Sequence, residues 1–110
     1  MSEKNFALEC KEFDEHLVDV YQDCISNHIG AHYIFRFPNG YGASVVKTFG
    51  SFGYENDKWE LAVILYEEEN KQAPDEYVIV YPYPIVKHNY VLGSLNDSQV
   101  REILHKIKEL

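Results

Sequence analysis

No apolar run in this 110-residue sequence approaches the roughly 20 residues that a membrane-spanning helix needs. Positive charge is scarce, with 10 Lys and Arg against 18 Asp and Glu and a formal net charge of −8. A protein that grips nucleic-acid phosphates needs a basic face, so direct nucleic-acid binding is not expected. Cysteine is limited to Cys10 and Cys24, which form no C-x-x-C pair, and both are expected to be free thiols, buried or half-buried. The start, Met1-Ser2-Glu3-Lys4-Asn5, has no basic stretch followed by an apolar segment, so a cytoplasmic protein is expected.

Catalytic spacing is also lacking. The histidines at 16, 28, 32, 88 and 105 fit no H-E-x-x-H pattern. Cys24 and His28 would share a helix face, but two residues do not complete a zinc site. No G-x-S-x-G is present, and Ser44 falls inside an expected strand rather than at a strand-to-helix elbow. The glycine pairs 40/42 and 50/53 lie between expected strands, whereas a phosphate cradle opens a helix. No catalytic residue, metal or cofactor is expected, and the chain reads as a non-enzyme.

Aromatics, at 15%, and apolar residues, at 45%, supply material for one folded α+β domain over residues 1–110. Residues 1–10 are weakly patterned and read as a fraying end or an extra strand. Over 11–27, Phe13, Leu17, Val20, Tyr21 and Cys24 recur at helical spacing, and Glu12, Glu15, Asp19 and Asp23 fall on the opposite face. This predicts an N-terminal amphipathic helix with an acidic outside, its carboxylate row spanning about 16 Å. Tyr33, Phe35 and Phe37 alternate with His32, Ile34 and Arg36, which predicts a strand. A hairpin at Pro38-Asn39-Gly40-Tyr41-Gly42 follows, since Asn and Gly tolerate positive φ, and a return strand runs over 43–49. Trp59, Leu61, Val63 and Leu65 share one face of a third strand whose other face, Ala62 and Ile64, is also apolar, as in a central strand. A fourth strand covers 77–81, ended by Pro82 and Pro84. Residues 85–94 stay ambiguous, with Tyr90-Val91-Leu92 a candidate short extended piece. Asn96 and Gln99 have capping-box spacing before a C-terminal helix whose stripe is Val100, Ile103, Leu104 and Ile107, with a Leu95–Val100 staple. The expected order is α-β-β-β-β-α, a four-stranded antiparallel meander with a helix at each end.

The acidity is local. Residues 1–27 carry seven acids against two lysines, and 67–76 carry five against one. Local charge is a recognition feature, and the carboxylate row reads either as a solvated helix face or as a negative surface that imitates nucleic-acid phosphates and docks on a basic, nucleic-acid-binding protein surface. The candidate partner-binding residues are therefore Glu12, Glu15, Asp19 and Asp23, then Glu67, Glu68 and Glu69, with Tyr41 and Tyr54 as loop tyrosines suited to an interface. Tyr81 and Tyr83 share that expected exposure.

The stretch Phe35-Arg36-Phe37-Pro38-Asn39-Gly40-Tyr41-Gly42-Ala43-Ser44-Val45-Val46, then Trp59-Glu60-Leu61-Ala62-Val63, resembles a family of small proteins encoded by phages and prophages. The ending Leu95-Asn96-Asp97-Ser98-Gln99-Val100 is similar to that family's "L-T-D-E-E-V" helix start. The likeness covers roughly 31–110, and neither the acidic segment before it nor the 67–76 segment belongs to the pattern. It implies a phage or mobile-element origin and action in the bacterial cytoplasm, and it implies no reaction. Together these features predict a protein-binding factor that engages a host or phage protein, for example an anti-CRISPR-like or nuclease-directed anti-defence inhibitor. The alternatives are a small-ligand or nucleotide-sequestering protein and an accessory protein that self-associates through a strand edge.

Overall fold

In the computed structural model, the structure describes residues 4–67, 76–88 and 90–110. A short 3-10 helix, Lys11–His16, leads into strand β1, Leu17–Ile25. Four further strands follow: β2 (His28–Arg36), β3 (Tyr41–Lys47), β4 (Trp59–Tyr66) and β5 (Tyr77–Val80). Strand β6 (Leu92–Leu95) and helix α1 (Asp97–Lys108) complete the order. The sheet is antiparallel, in the order β1-β2-β3-β4-β5. The far side of β4 is divided between β5, paired along Val63–Tyr66, and β6, paired at Trp59 and Leu61.

Two expectations are corrected. The sheet has six strands rather than four, and the N-terminal helix over 11–27 does not exist. Its second half is β1, which closes on β2 through the two-residue turn Ser26-Asn27, both left-handed at φ 51° and 64°. That turn geometry matches the twist of the flanking strands. Val18, Val20 and Ile25 are β-branched and suit a strand, and pairing with β2 outweighs a helical spacing that has no second layer to bury it. Cys24 and His28 accordingly flank a hairpin turn and share no helix face.

One face of the sheet carries the main core. Phe35, Phe37, Val45, Trp59, Leu61 and Val63 pack against Val100, Leu104 and Ile107 of α1, all essentially buried. Each such side chain contributes about 1.5–3 kcal/mol on burial. Asn96 caps α1 as expected, accepting from the Gln99 N–H (2.8 Å) while Gln99 Oε1 accepts from the Asn96 N–H (2.9 Å). Residues 4–10 lie across this face without regular structure. The Tyr33 hydroxyl donates to the Phe6 carbonyl (2.9 Å) and accepts from the Leu8 N–H (3.1 Å). The buried Lys47 ammonium reaches the Asn5 carbonyl (2.5 Å), Asp57 Oδ1 (2.7 Å) and the Trp59 ring face (4.3 Å).

The hairpin between β2 and β3 turns through Pro38 and Asn39. The Gly40 N–H donates to the Phe37 carbonyl (3.0 Å), and Gly40 alone is left-handed, at φ 87°. Gly42 belongs to β3 instead of the turn. A Cβ there would sit 1.9 Å from the Phe35 carbonyl oxygen, so β2 and β3 approach as only glycine permits. No described helix is long and apolar enough to cross a membrane.

Candidate functional site

Among the described residues, no helix lies over the opposite sheet face. Alternation places Asp19, Tyr21 and Asp23 of β1 on it, with His32, Ile34 and Arg36 of β2. Gly42 and Ser44 of β3 stand between Arg36 and Ile34 on one side and Ile64 and Ala62 on the other. These small residues let the sheet curl. Ile34, Ile64 and Tyr66 form a second buried cluster on its floor.

The curl brings the two ends of the strand order together. A cleft of about 310 Å³ is lined by Val18, Asp19 and Tyr21 from β1 and by Tyr77 from β5, with Ile34, Arg36 and Tyr66 beneath. The Arg36 guanidinium stacks over the Tyr66 ring at 4.4 Å, and Tyr66 meets Tyr77 edge-on at 5.4 Å. Tyr21 stacks on His32 at 4.4 Å and 7°. The His32 ring bonds Asp23 Oδ2 at 2.5 Å across Gly30, where a Cβ would press to 2.8 Å from Asp23 Oδ1. Burial and then the charges of Tyr77, Asp19 and Asp23 push the Tyr21 hydroxyl above its ordinary pKa, so it stays a neutral donor. The Asp19 carboxylate has no hydrogen-bond or ion-pair partner among the described residues.

Among the described residues, β1 is also an open edge, paired with β2 alone. Its exposed large side chains are Val18 (55%), Val20 (48%), Tyr21 (45%) and Ile25 (42%). In an antiparallel pair, opposed residues alternate between exchanging both backbone hydrogen bonds and exchanging none. The tight turn makes Ile25 and His28 a bonded pair, so Asp23 and Tyr21 also bond inward to β2. The N–H and C=O groups of Val20, Gln22 and Cys24 therefore point away from the sheet.

The acidic row predicted from helical spacing is dispersed. Glu12 serves the core face, paired with Arg101 (3.4 Å) and His105 (3.1 Å) of α1. Glu15 is exposed beside His16 at 3.3 Å. Asp19 and Asp23 alone reach the curled face. Glu67 is exposed at the end of β4, its N–H bonded to the Glu76 carbonyl (3.1 Å), whereas Glu68 and Glu69 lie outside the described residues. Tyr41 is half-buried against the main core. Tyr54 is buried at 5% exposure, its hydroxyl donating to the Ile29 carbonyl (3.0 Å), so it is no exposed loop tyrosine. Tyr81 and Tyr83 are exposed.

Sequence reasoning missed Tyr21, Arg36, Tyr66 and Tyr77. Tyr21 falls on the predicted helix stripe, and the joining of Tyr77 to β1 depends on sheet curvature. Gly42 and Ser44 alternating in β3 were the available signal. Cys10 is buried, and burial, followed by the charges of Asp14, Asp97 and Glu12, pushes its thiol up to about 11. Cys24, expected to be at least half-buried, is exposed. Among the described residues, no group of three or more His, Cys, Asp and Glu is placed to hold a metal ion. Comparisons with protein-family models, curated proteins and solved structures each gave no match.

Proposed function

We propose that this chain is a non-enzymatic protein-binding factor that receives an extended segment of its partner along the free edge of β1. The observation that carries the reading is that edge: nine residues long, with exposed apolar side chains at Val18, Val20, Tyr21 and Ile25, and with the outward backbone groups of Val20, Gln22 and Cys24 unpaired among the described residues. Natural sheets blunt a free edge with lysine, proline, other charges or a bulge; β1 contains no lysine or proline, and what blunts it is Asp19, Asp23 and the register shift between Leu17 and Asp19. Inhibition of a host nuclease or another defence complex is the concrete version motivated by the phage-type resemblance. Val20→Pro tests the edge, because it removes an outward N–H and leaves the β2 ladder intact. Tagged wild-type protein should retain a partner from a bacterial lysate that the folded Val20→Pro protein does not. That partner should slow amide exchange at Val20, Gln22 and Cys24. Equal retention by both proteins, or slowing confined to other strands, refutes the reading.

A second reading is favoured by the three tyrosines around the 310 Å³ cleft, a volume at the small end of ligand sites. A small aromatic or nucleotide ligand held there would raise the melting temperature of the wild type and not of Tyr66→Ala.

A further inference from the structure

We infer that the segment received by β1 is a strand with a basic side chain beside Asp19 and a large apolar side chain beside Tyr21. This rests on the β1 docking proposed above. A strand added to an edge continues the pleat, so every second side chain projects over the curled face. Those side chains stand next to Asp19, Tyr21 and Asp23, the three β1 residues on that face. Next to Tyr21 lies the cleft, walled by Val18, Tyr77 and Ile34. An aromatic side chain would fill it and stack on tyrosine rings.

Next to Asp19 the requirement is electrostatic. Its carboxylate is unpartnered among the described residues, whereas Asp23 is already bonded by His32. Opposite charges across adjacent strands attract and like charges repel. A second copy of this chain meets that requirement poorly. Leu17–Ile25 contains no Lys or Arg, and the register that opposes Asp19 to Asp23 brings two carboxylates together. The complementary occupant is therefore a foreign strand of alternating basic and apolar pattern.

The probe is the fluorescein-labelled peptide TKTFTKT, which reads the same in either direction and so presents lysines on both sides of phenylalanine whichever way it runs. With the full-length protein, fluorescence anisotropy should report saturable binding, weakened about tenfold or more for TETFTET and about fivefold by Asp19→Asn. N-methylation of one alternate set of peptide amides should abolish binding and of the other set leave it, because only one set faces β1. Equal binding of TETFTET, no binding of TKTFTKT, or equal sensitivity of both amide sets overturns the inference. A wild-type dimer in sedimentation that Val20→Pro dissociates also overturns it, in favour of a second copy. If Val20→Pro loses a natural partner whose bound segment lacks the pattern, the inference falls and the β1 reading stands. If Val20→Pro loses nothing, the β1 reading itself fails.

Discussion

Asn39 joins the first predicted hairpin to the end of the last helix, and replacing it should expose how much that junction is worth. Its amide nitrogen lies 3.0 Å from the Ile107 carbonyl and 3.2 Å from those of Lys108 and Leu110. The last carbonyls of a helix have no partner within it. The Asn39 side-chain oxygen meanwhile accepts from the Tyr41 N–H (3.1 Å), which fixes the amide's orientation. An amide nitrogen carries only two hydrogens, so the three carbonyls share at most two full bonds. At a net value of about 1 kcal/mol each, and with water able to reach part of the site, Asn39→Ala should cost about 1–2 kcal/mol.

Asn39→Asp is the sharper variant. It keeps the acceptor for Tyr41 and turns a carboxylate toward the carbonyl oxygens, at the negative end of the α1 dipole. The cost at neutral pH should rise to about 2–3 kcal/mol, or a melting point lower by roughly 10 °C or more. The carbonyls raise the folded-state pKa of the introduced acid above its unfolded value of about 3.9. Its protonated form is then favoured by folding, so the deficit is full above the folded pKa and shrinks as pH falls toward the unfolded value. Urea unfolding of wild type, Asn39→Ala and Asn39→Asp at pH 7 and at pH 4.5 reads both effects as differences from wild type. An Asn39→Asp protein no less stable than Asn39→Ala at pH 7, or a gap that does not narrow with acid, would refute the argument.

Three further outcomes follow from the packing. Gly42→Ala should lose about 3 kcal/mol or fail to fold, because its methyl would lie 1.9 Å from backbone at Phe35; a melting temperature within a few degrees of wild type contradicts the close approach. Burial pushes the Asp57 carboxyl up, but the hydrogen bonds from Lys47 and the Asn5 N–H, with the Lys47 charge, outweigh it and hold the pKa below the usual carboxylate range. Its contribution is present above the unfolded pKa and lost as pH falls through the folded one, so Asp57→Asn should flatten the acid limb of the stability profile. Unchanged acid sensitivity would remove Asp57 from that role. With Ellman's reagent at pH 8, one thiol per native chain, Cys24, should react promptly, and Cys10 only on unfolding; a prompt reaction that disappears in Cys24→Ser, leaving one thiol that reacts only on unfolding, identifies them, and a prompt reaction that survives in Cys24→Ser contradicts the assignment.

Much of the fold was legible where one strand face carries the large side chains of the main core. β2 and β4 displayed their alternation because Phe35, Trp59 and Leu61 belong to that core while His32, Arg36 and the smaller Ala62 face the other way. The cap at Asn96 was legible because Asn and Gln three apart satisfy a local geometry that needs no tertiary partner. β6 was less so: four residues paired to β4 at only two positions, with a left-handed Ser94 between, leave too little period to read. Asn39 was read for its turn propensity alone, and its second role depends on where α1 ends, 68 residues later.

β1 was misread for a reason that bears on function. A period of two emerges most clearly when one face of a strand is buried and the other wet. Val18, Val20, Tyr21 and Ile25 are exposed on both faces and along one edge, so selection for a core has not imposed the alternation. The leftover apolar positions happened to fall three and four apart and imitated a helix stripe, with Asp19 and Asp23 as its solvated back. In the fold those carboxylates share a face with Tyr21, above the cleft. Among the described residues β1 is paired on one side only, as is β5, and both strands carry exposed apolar side chains. A strand shaped by its own core would have alternated clearly. On the proposed reading another chain completes the exposed surfaces of β1, and the test is whether protection at Val20, Gln22 and Cys24 appears together with the partner.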